Sequence, residues 1–284
     1  MVSPKKEKGK ETYMKKTILI VMTVLVALVL AVSCSGSPKT QKKDSYTVTF
    51  KLKGCTCPEF EGEKKVQVKA GETVEEPISS TFTPNEPKYY KFAGWTKEGK
   101  QYDFNTPVNS DITLETYLEP LYSIGGRGEA YGLVFYENPN YNANSTDNNW
   151  KYLEVTAKDY GDSITGTEFA WGTKGVSVGT STAINSGSTN TEKMSELTSS
   201  VAKNIWNKTG DGGKTDWYIP SKDELALIFK EVAAKGNGNF SGYYWSSSAK
   251  DNDSAWNLST NESASGEHSA SRDTKCHIRL IRKF

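Results

Sequence analysis

The chain has 284 residues, room for one large or two modest domains at roughly 100–200 residues each, and 35 basic against 34 acidic residues leave a formal charge of +1. So even a balance excludes whole-chain attraction to nucleic acid or an anionic surface, while 11% aromatic residues are more than a disordered chain carries, although the apolar share is only 36%. Four Cys and two His exclude a disulfide-dense scaffold and leave few ligands for structural zinc.

From Thr17 to Ser33 no residue is charged and most are Ile, Leu, Val or Ala; Lys15 and Lys16 precede this run and Ala31-Val32-Ser33-Cys34 ends it. A positive n-region, a short apolar stretch and small residues before a cleavage point describe a secretory signal over residues 1–33. Met14 reads as the better start, since it leaves Lys-Lys as the whole n-region. The alternative is an uncleaved anchor, for which 17 residues stand at the lower edge of what spans roughly 30 Å of hydrocarbon. A Cys directly after those small residues resembles a bacterial lipobox. That resemblance implies a lipoprotein cleaved before Cys34 and acylated there, held to the membrane by its lipid at the outer membrane or cell surface. The leader holds six Lys and two Glu, so its loss turns +1 into −3. Residues 34–44 then form the lipidated Cys and a polar tether, since Ser35–Asp44 has no large apolar residue.

Residues 45–120 read as a small β-rich unit. Tyr46–Phe50 alternates β-branched and aromatic residues, Val66–Val68 alternates again, and Tyr90–Trp95, Tyr102–Phe104 and Ile112–Leu114 carry further strand signals. Prolines 77, 84 and 87 punctuate a loop. The pieces YTVTF, GETVEEP, YKFAGWTKEGKQYDF and TPVNSDITLETY, with Tyr90, Phe92, Gly94 and Trp95 as signature, resemble the Listeria–Bacteroides (internalin B-type) repeat. The resemblance implies a β-grasp-like module of a secreted surface protein, a spacer or adhesive unit. Phe92 and Trp95 read as core. Cys55 and Cys57 lie two apart and read as free or strained thiols in a turn.

Residues 121–284 hold six of the seven Trp. Gly125–Gly128 is Gly-rich, but Tyr131–Tyr136 after it reads as a strand, which argues against a phosphate loop. Trp150–Val155 is a further strand and 172–190 a long polar loop. Met194, Leu197, Val201 and Ile205 recur at helical spacing after Thr191 as N-cap, with Gly210 as stop. Ser221-x-x-Glu224 after Pro220 is a capping box opening a second helix, closed by Gly236. Strands are expected at 242–246, 254–259 and 276–284, with 260–274 as a long hairpin loop. The class is α+β. IGGRGEAYGLVFY, DWYIPSKDEL, YYWSSS, SAWNLS and IRLIRKF together resemble the C-terminal domain of the Legionella collagen-like protein. The resemblance implies a C-type-lectin-like fold and extracellular binding of glycan or of host or matrix protein.

Catalysis would need a nucleophile, a base and an orienting group in one pocket. Cys276 and His277 are adjacent, so on a strand they face opposite ways. Asp223 and Glu224 are helix-start carboxylates favoured by the macrodipole. No enzyme and no required cofactor is expected. Calcium is a minor alternative, since Trp256-Asn257-Leu258 lacks the Asp of a Trp-Asn-Asp motif, although Asp251, Asn252 and Asp253 offer hard oxygens. The candidate ligand surface gathers Asp251, Asn252, Asp253, Asn257, Glu262, Glu267, His268 and Arg272. Arg279, Arg282 and Lys283, after Arg272 and Lys275, suggest either a local patch for sulfated glycan or a solvated edge strand. The expected function is a lipid-anchored, adhesin-like envelope protein that binds glycan or an extracellular protein through residues 121–284. The competing expectation is a structural or protein-interaction module without sugar recognition.

Overall fold

The computed structural model describes residues 43–161, 167–207, 210–259 and 268–284. The expected leader, Cys34 and all but the last two tether residues lie outside the described residues, as do Glu262 and Glu267.

The strands of the N-terminal part are β1 (Ser45–Lys51), β2 (Cys55–Thr56), β3 (Glu63–Lys69), β4 (Thr83–Pro84), β5 (Tyr90–Lys97), β6 (Lys100–Gln101) and β7 (Ile112–Pro120). Five of them form a sheet in the order β3-β1-β7-β5-β6. β1 runs antiparallel to β3, with Ser45 opposite Lys69, and parallel to β7, with Val48 opposite Ile112. Contacts divide the described residues into two units, and no single chain position separates them: residues 43–51, 62–77 and 95–115 form one, and 52–61, 78–94 and the described residues from 116 onward the other.

In the first unit, alternation puts Val48 and Phe50 on one face of β1, where both are buried. Phe50 meets Trp95 edge-on at 4.9 Å and lies parallel to Phe104 at 6.4 Å. Val68, Val74, Val108, Ile112 and Leu114 complete this core. The strand expected at Tyr102–Phe104 is instead the short β6 just before it. Glu98 and Gly99 both have positive φ (52° and 78°), so the chain reverses in two residues, as tight hairpins require. Phe104 is then free to turn toward Phe50.

In the second unit, β2 pairs with β4, and Cys55 and Cys57 are buried free thiols. Beyond residue 121 come β8 (Leu133–Glu137), β9 (Tyr152–Val155), β10 (Phe169–Ala170), the helices α1 (Gly187–Ser195), α2 (Ala202–Ile205) and α3 (Lys222–Glu231), then β11 (Tyr243–Ala249), β12 (Ser254–Ser259), β13 (His268–Ser271), β14 (Lys275–Cys276) and β15 (Ile281–Lys283). They form sheets β15-β9-β8, β11-β12-β13 and β10-β14. The described chain is therefore mixed, strand-rich and poor in helix.

The capping box forms as the spacing predicts: the Ser221 N–H donates to Glu224 Oε2 at 2.7 Å and the Glu224 N–H to Ser221 Oγ at 3.3 Å. Gly236 ends the segment at φ 74°. The helix expected from Thr191 to Gly210 is two short ones, α1 and α2. Thr191 lies inside α1, its Oγ1 donating to the Gly187 carbonyl and accepting the Ile219 N–H. Met194, Leu197, Val201 and Ile205 are all buried, so the apolar spacing marks an inner face that the break does not destroy. They share a core with Trp171, Trp217, Trp245 and Cys276. A second core joins α3 to Phe135, Trp150, Leu153, Tyr244 and Ile281. The expected loop 260–274 contains β13, and the expected final strand is divided into β14 and β15, which pair with β10 and β9.

Candidate functional site

The loop between β11 and β12 is built on Asp251. Its Oδ1 accepts the N–H groups of Asp253 (2.8 Å) and Ser254 (2.7 Å) and the Ser254 hydroxyl. The Ser254 hydroxyl, then these N–H groups, lower the Asp251 pKa. Asn252 and Asp253 are exposed at the tip. The Gly175 N–H donates to the Asn252 carbonyl at 2.9 Å and to Asp253 Oδ1 at 3.2 Å, which joins the loop to residues 173–176.

Arg272 fastens that junction from inside. Its Nη1 donates to the carbonyls of Thr173 (3.1 Å) and Val176 (2.8 Å), its Nη2 donates to the Asp251 carbonyl, and its guanidinium lies 4.5 Å from the Trp171 ring centroid. Burial lowers its pKa, against Asp251 and Asp253, which raise it. Asp251, Asn252, Asp253 and Arg272 are thus brought together, but only the first three face outward. Asn257 is buried, its Nδ2 donating to Cys276 Sγ at 3.6 Å. His268 stands opposite Asn257 across the β12–β13 pair and is exposed, its ring 5.9 Å from that of the exposed Tyr243. Among the described residues no group of three or more His, Cys, Asp or Glu is placed to hold a metal ion.

The arginines near the C-terminus form neither an anion patch nor a solvated edge. Arg279 and Arg282 are 2% and 4% exposed. Arg279 donates to Asp159 Oδ1 through Nε, to the Thr156 carbonyl through Nη1 (3.0 Å) and to the Gly238 carbonyl through Nη2 (2.6 Å). Arg282 grips Asp216 with Nε and Nη2 (2.8 and 2.9 Å), and its Nη1 donates to Glu154 (2.8 Å) and Glu129 (3.0 Å). Glu154 is fully buried and also accepts the N–H groups of Ala130 and Gly132, each at 2.9 Å. Burial would lower the Arg282 pKa, but Asp216, Glu154 and Glu129 outweigh it and raise it. These ion pairs bind β15 to the loops around it.

Cys276 and His277 diverge as alternation requires. Burial pushes the Cys276 thiol up to about 11. His277 lies on the other side, Nδ1 at 3.6 Å from Asp159 and Nε2 at 3.7 Å from Glu168.

A feature with no sequence signature is a cleft of about 280 Å³ between the segment after β9 and the end of α2 with the segment that follows it. Lys158, Tyr160, Asn204, Asp211, Trp217 and Leu280 are among the residues lining it. The Tyr160 hydroxyl donates to the Asn204 carbonyl at 3.1 Å, and Trp217 Nε1 donates to the Asp211 carbonyl at 2.9 Å. Its residues come from five separate stretches of chain, so no motif could announce it.

Residues 46–115 match the family model of the Listeria–Bacteroides repeat domain. That stretch carries the segments that bear the resemblance, all but Thr116 and Tyr117 at the end of the last, and it lies within the expected 45–120. No curated protein matches the chain. Among the described residues no helix is long and apolar enough to cross a membrane.

Proposed function

We propose that this protein is a lipid-anchored, adhesin-like binding protein of the cell envelope, at the outer membrane or cell surface. In this reading Cys34 carries the lipid, the Listeria–Bacteroides repeat acts as a β-grasp-like spacer, and residues 121–284 form a C-type-lectin-like domain that binds glycan. The apolar run ending in Ala31-Val32-Ser33-Cys34 supports the anchor. The segments DWYIPSKDEL and YYWSSS, which resemble the Legionella collagen-like protein's C-terminal domain, support the lectin-like reading.

The observation that carries it is the junction of loops 173–176 and 251–253. A buried arginine fixes both, so Asn252 and Asp253 are presented outward without an ordering cost at binding. The reading is non-enzymatic, and a thiol held near 11 is a poor nucleophile. The test is a glycan array with the full chain, with and without chelator. Glycan binding that Asn252→Ala with Asp253→Ala abolishes is the expected result; silence on the array overturns the glycan reading. For the anchor, labelled palmitate should enter the wild-type chain in cells but not Cys34→Ala.

One observation favours the second reading, a protein-interaction module. Tyr131 is 76% exposed at φ 63°, a conformation bulky residues rarely adopt, on a turn that buried Glu154 holds through the Ala130 and Gly132 N–H groups. A rigidly displayed aromatic suits a protein surface. Capture of an extracellular partner that survives its deglycosylation and fails with Tyr131→Ser decides for this reading.

A further inference from the structure

We infer that the cleft between the segments after β9 and α2 is a saccharide subsite that takes one neutral, hydroxyl-rich sugar ring. The inference rests on the reading that this protein binds glycan, and it adds a second sugar contact, separate from the loop junction at 251–254.

Size limits the occupant first. At about 280 Å³ the cleft stands just under the roughly 300–1,000 Å³ of pockets for drug-sized ligands, so it suits a single ring. Its lining has the two characters that a sugar has. Leu280 and the edge of Trp217 are apolar and buried, and the half-buried Tyr160 ring is the aromatic wall on which C–H groups can pack. The polar heads at the rim are Lys158, Asn204 and Asp211, all exposed.

Which of these heads are available is decided by their partners. The Asp159 carboxylate also lines the cleft, but Arg279 and the Tyr244 hydroxyl already hold it. The side chains of Lys158, Asn204 and Asp211 make no hydrogen bond or ion pair to any described residue. An amide, a carboxylate and an ammonium offer both donors and acceptors, which adjacent hydroxyls can meet in pairs. Charge then sets the class. Arg279 already neutralises Asp159, and the remaining rim charges, Lys158 and Asp211, balance each other, so the rim has no net charge to favour an ionic sugar and suits a neutral ring.

The frame around the rim is fixed. The Tyr160 hydroxyl and Trp217 Nε1 are both engaged on backbone carbonyls of the opposing segment, those of Asn204 and Asp211. At Gly210 a Cβ would come within 2.6 Å of the Trp217 ring, so the backbone there lies directly against the indole. The aromatic wall is therefore in place before a ligand arrives, and only the exposed side chains of Lys158, Asn204 and Asp211 have to order on binding.

Saturation-transfer NMR on the full chain tests this with methyl glycosides of glucose, galactose and mannose and with N-acetylglucosamine at millimolar concentration. At least one should receive saturation, and Asn204→Ala with Asp211→Ala should weaken its binding about tenfold or more, because two hydrogen-bonding partners are lost. Asp211→Asn, which keeps the shape and removes the charge, should fall between the two. A glycan-array signal with full affinity in the double variant overturns this site and leaves the glycan reading standing. Silence of the glycosides and the array together overturns both.

Discussion

In the second unit, Arg282 directs four hydrogen bonds to three carboxylates and is almost wholly buried, whereas Lys158, Asn204 and Asp211 stand exposed around a cleft with side chains that engage no described residue. Both sets are polar, and neither lies on a long regular element: Arg282 is on the short β15, Asn204 in the four-residue α2, Lys158 at a bend and Asp211 in a short helical turn. What separates them is the cost of leaving each unpaired. A buried charge must be neutralised by its own protein, so its partners are fixed when the chain folds. An exposed polar group is satisfied by water until a ligand replaces it. Polar residues engaged from within report architecture here, and those left to solvent around a concave surface are the ones we propose for binding.

The largest test of that contrast is Arg282→Ala. It leaves Glu154 buried and without its cation, and should destabilise the protein by about 3–5 kcal/mol. Asp216→Asn removes a partner whose side chain is 50% exposed, and should cost about 1 kcal/mol or less. Urea unfolding of both variants measures the pair, and equal losses would break the argument that burial sets the energy.

Glu224 gives the next effect, through pH. Burial, the dominant influence, raises its carboxyl from 4.5 to about 7, against the Ser221, Asn185 and Gly187 N–H groups that favour the charged form. A folded-state pKa above the unfolded one means that the native state binds more protons between those values. Its contribution is therefore complete below the unfolded value and is lost as pH rises through about 7. The fall should be on the order of 3 kcal/mol at most, read as a drop in the urea midpoint from about pH 5 to about pH 8. Glu224→Gln should abolish most of that slope; an unchanged slope would assign it to another group.

Ser221→Ala is smaller, since it removes one side of the capping box and should cost about 1 kcal/mol of stability by thermal or urea unfolding. It also shows what the sequence could disclose. Ser221 and Glu224 are three residues apart and satisfy each other, so spacing alone reveals them. The alternation at Tyr46–Phe50 is legible for the same reason, and the Listeria–Bacteroides pattern follows the chain continuously. The partners of Arg282 are 66, 128 and 153 residues away, and a run such as Arg279–Lys283 therefore reads as a surface patch. The break between α1 and α2 is hidden because the apolar spacing persists across it. The cleft is hidden more fully, because exposed Lys, Asn and Asp look alike wherever they fall. Of the expected ligand residues, Asp251, Asn252 and Asp253 do reach the surface, because a short polar run between two strands has nowhere else to go. Arg272 turns inward because neighbouring loops supply carbonyls for it, and Asn257 because Cys276 on β14 accepts its amide.

The smallest expected effect is the sharpest complement to Arg282→Ala. Asn204→Ala together with Asp211→Ala removes two polar side chains from the same unit, yet each has lost nothing by being hydrated in the folded protein. Surface changes of this kind ordinarily stay within about 0.5 kcal/mol. Unchanged thermal unfolding beside weakened sugar binding would assign these residues to recognition alone. A loss of more than about 1 kcal/mol would mean instead that they brace the lip on which Tyr160 and Trp217 are anchored, and the cleft would then belong with the architecture. Neutral stability alone is not enough, since an idle surface residue would give the same result. The contrast is complete only when the pair that folding ignores is the pair that binding requires.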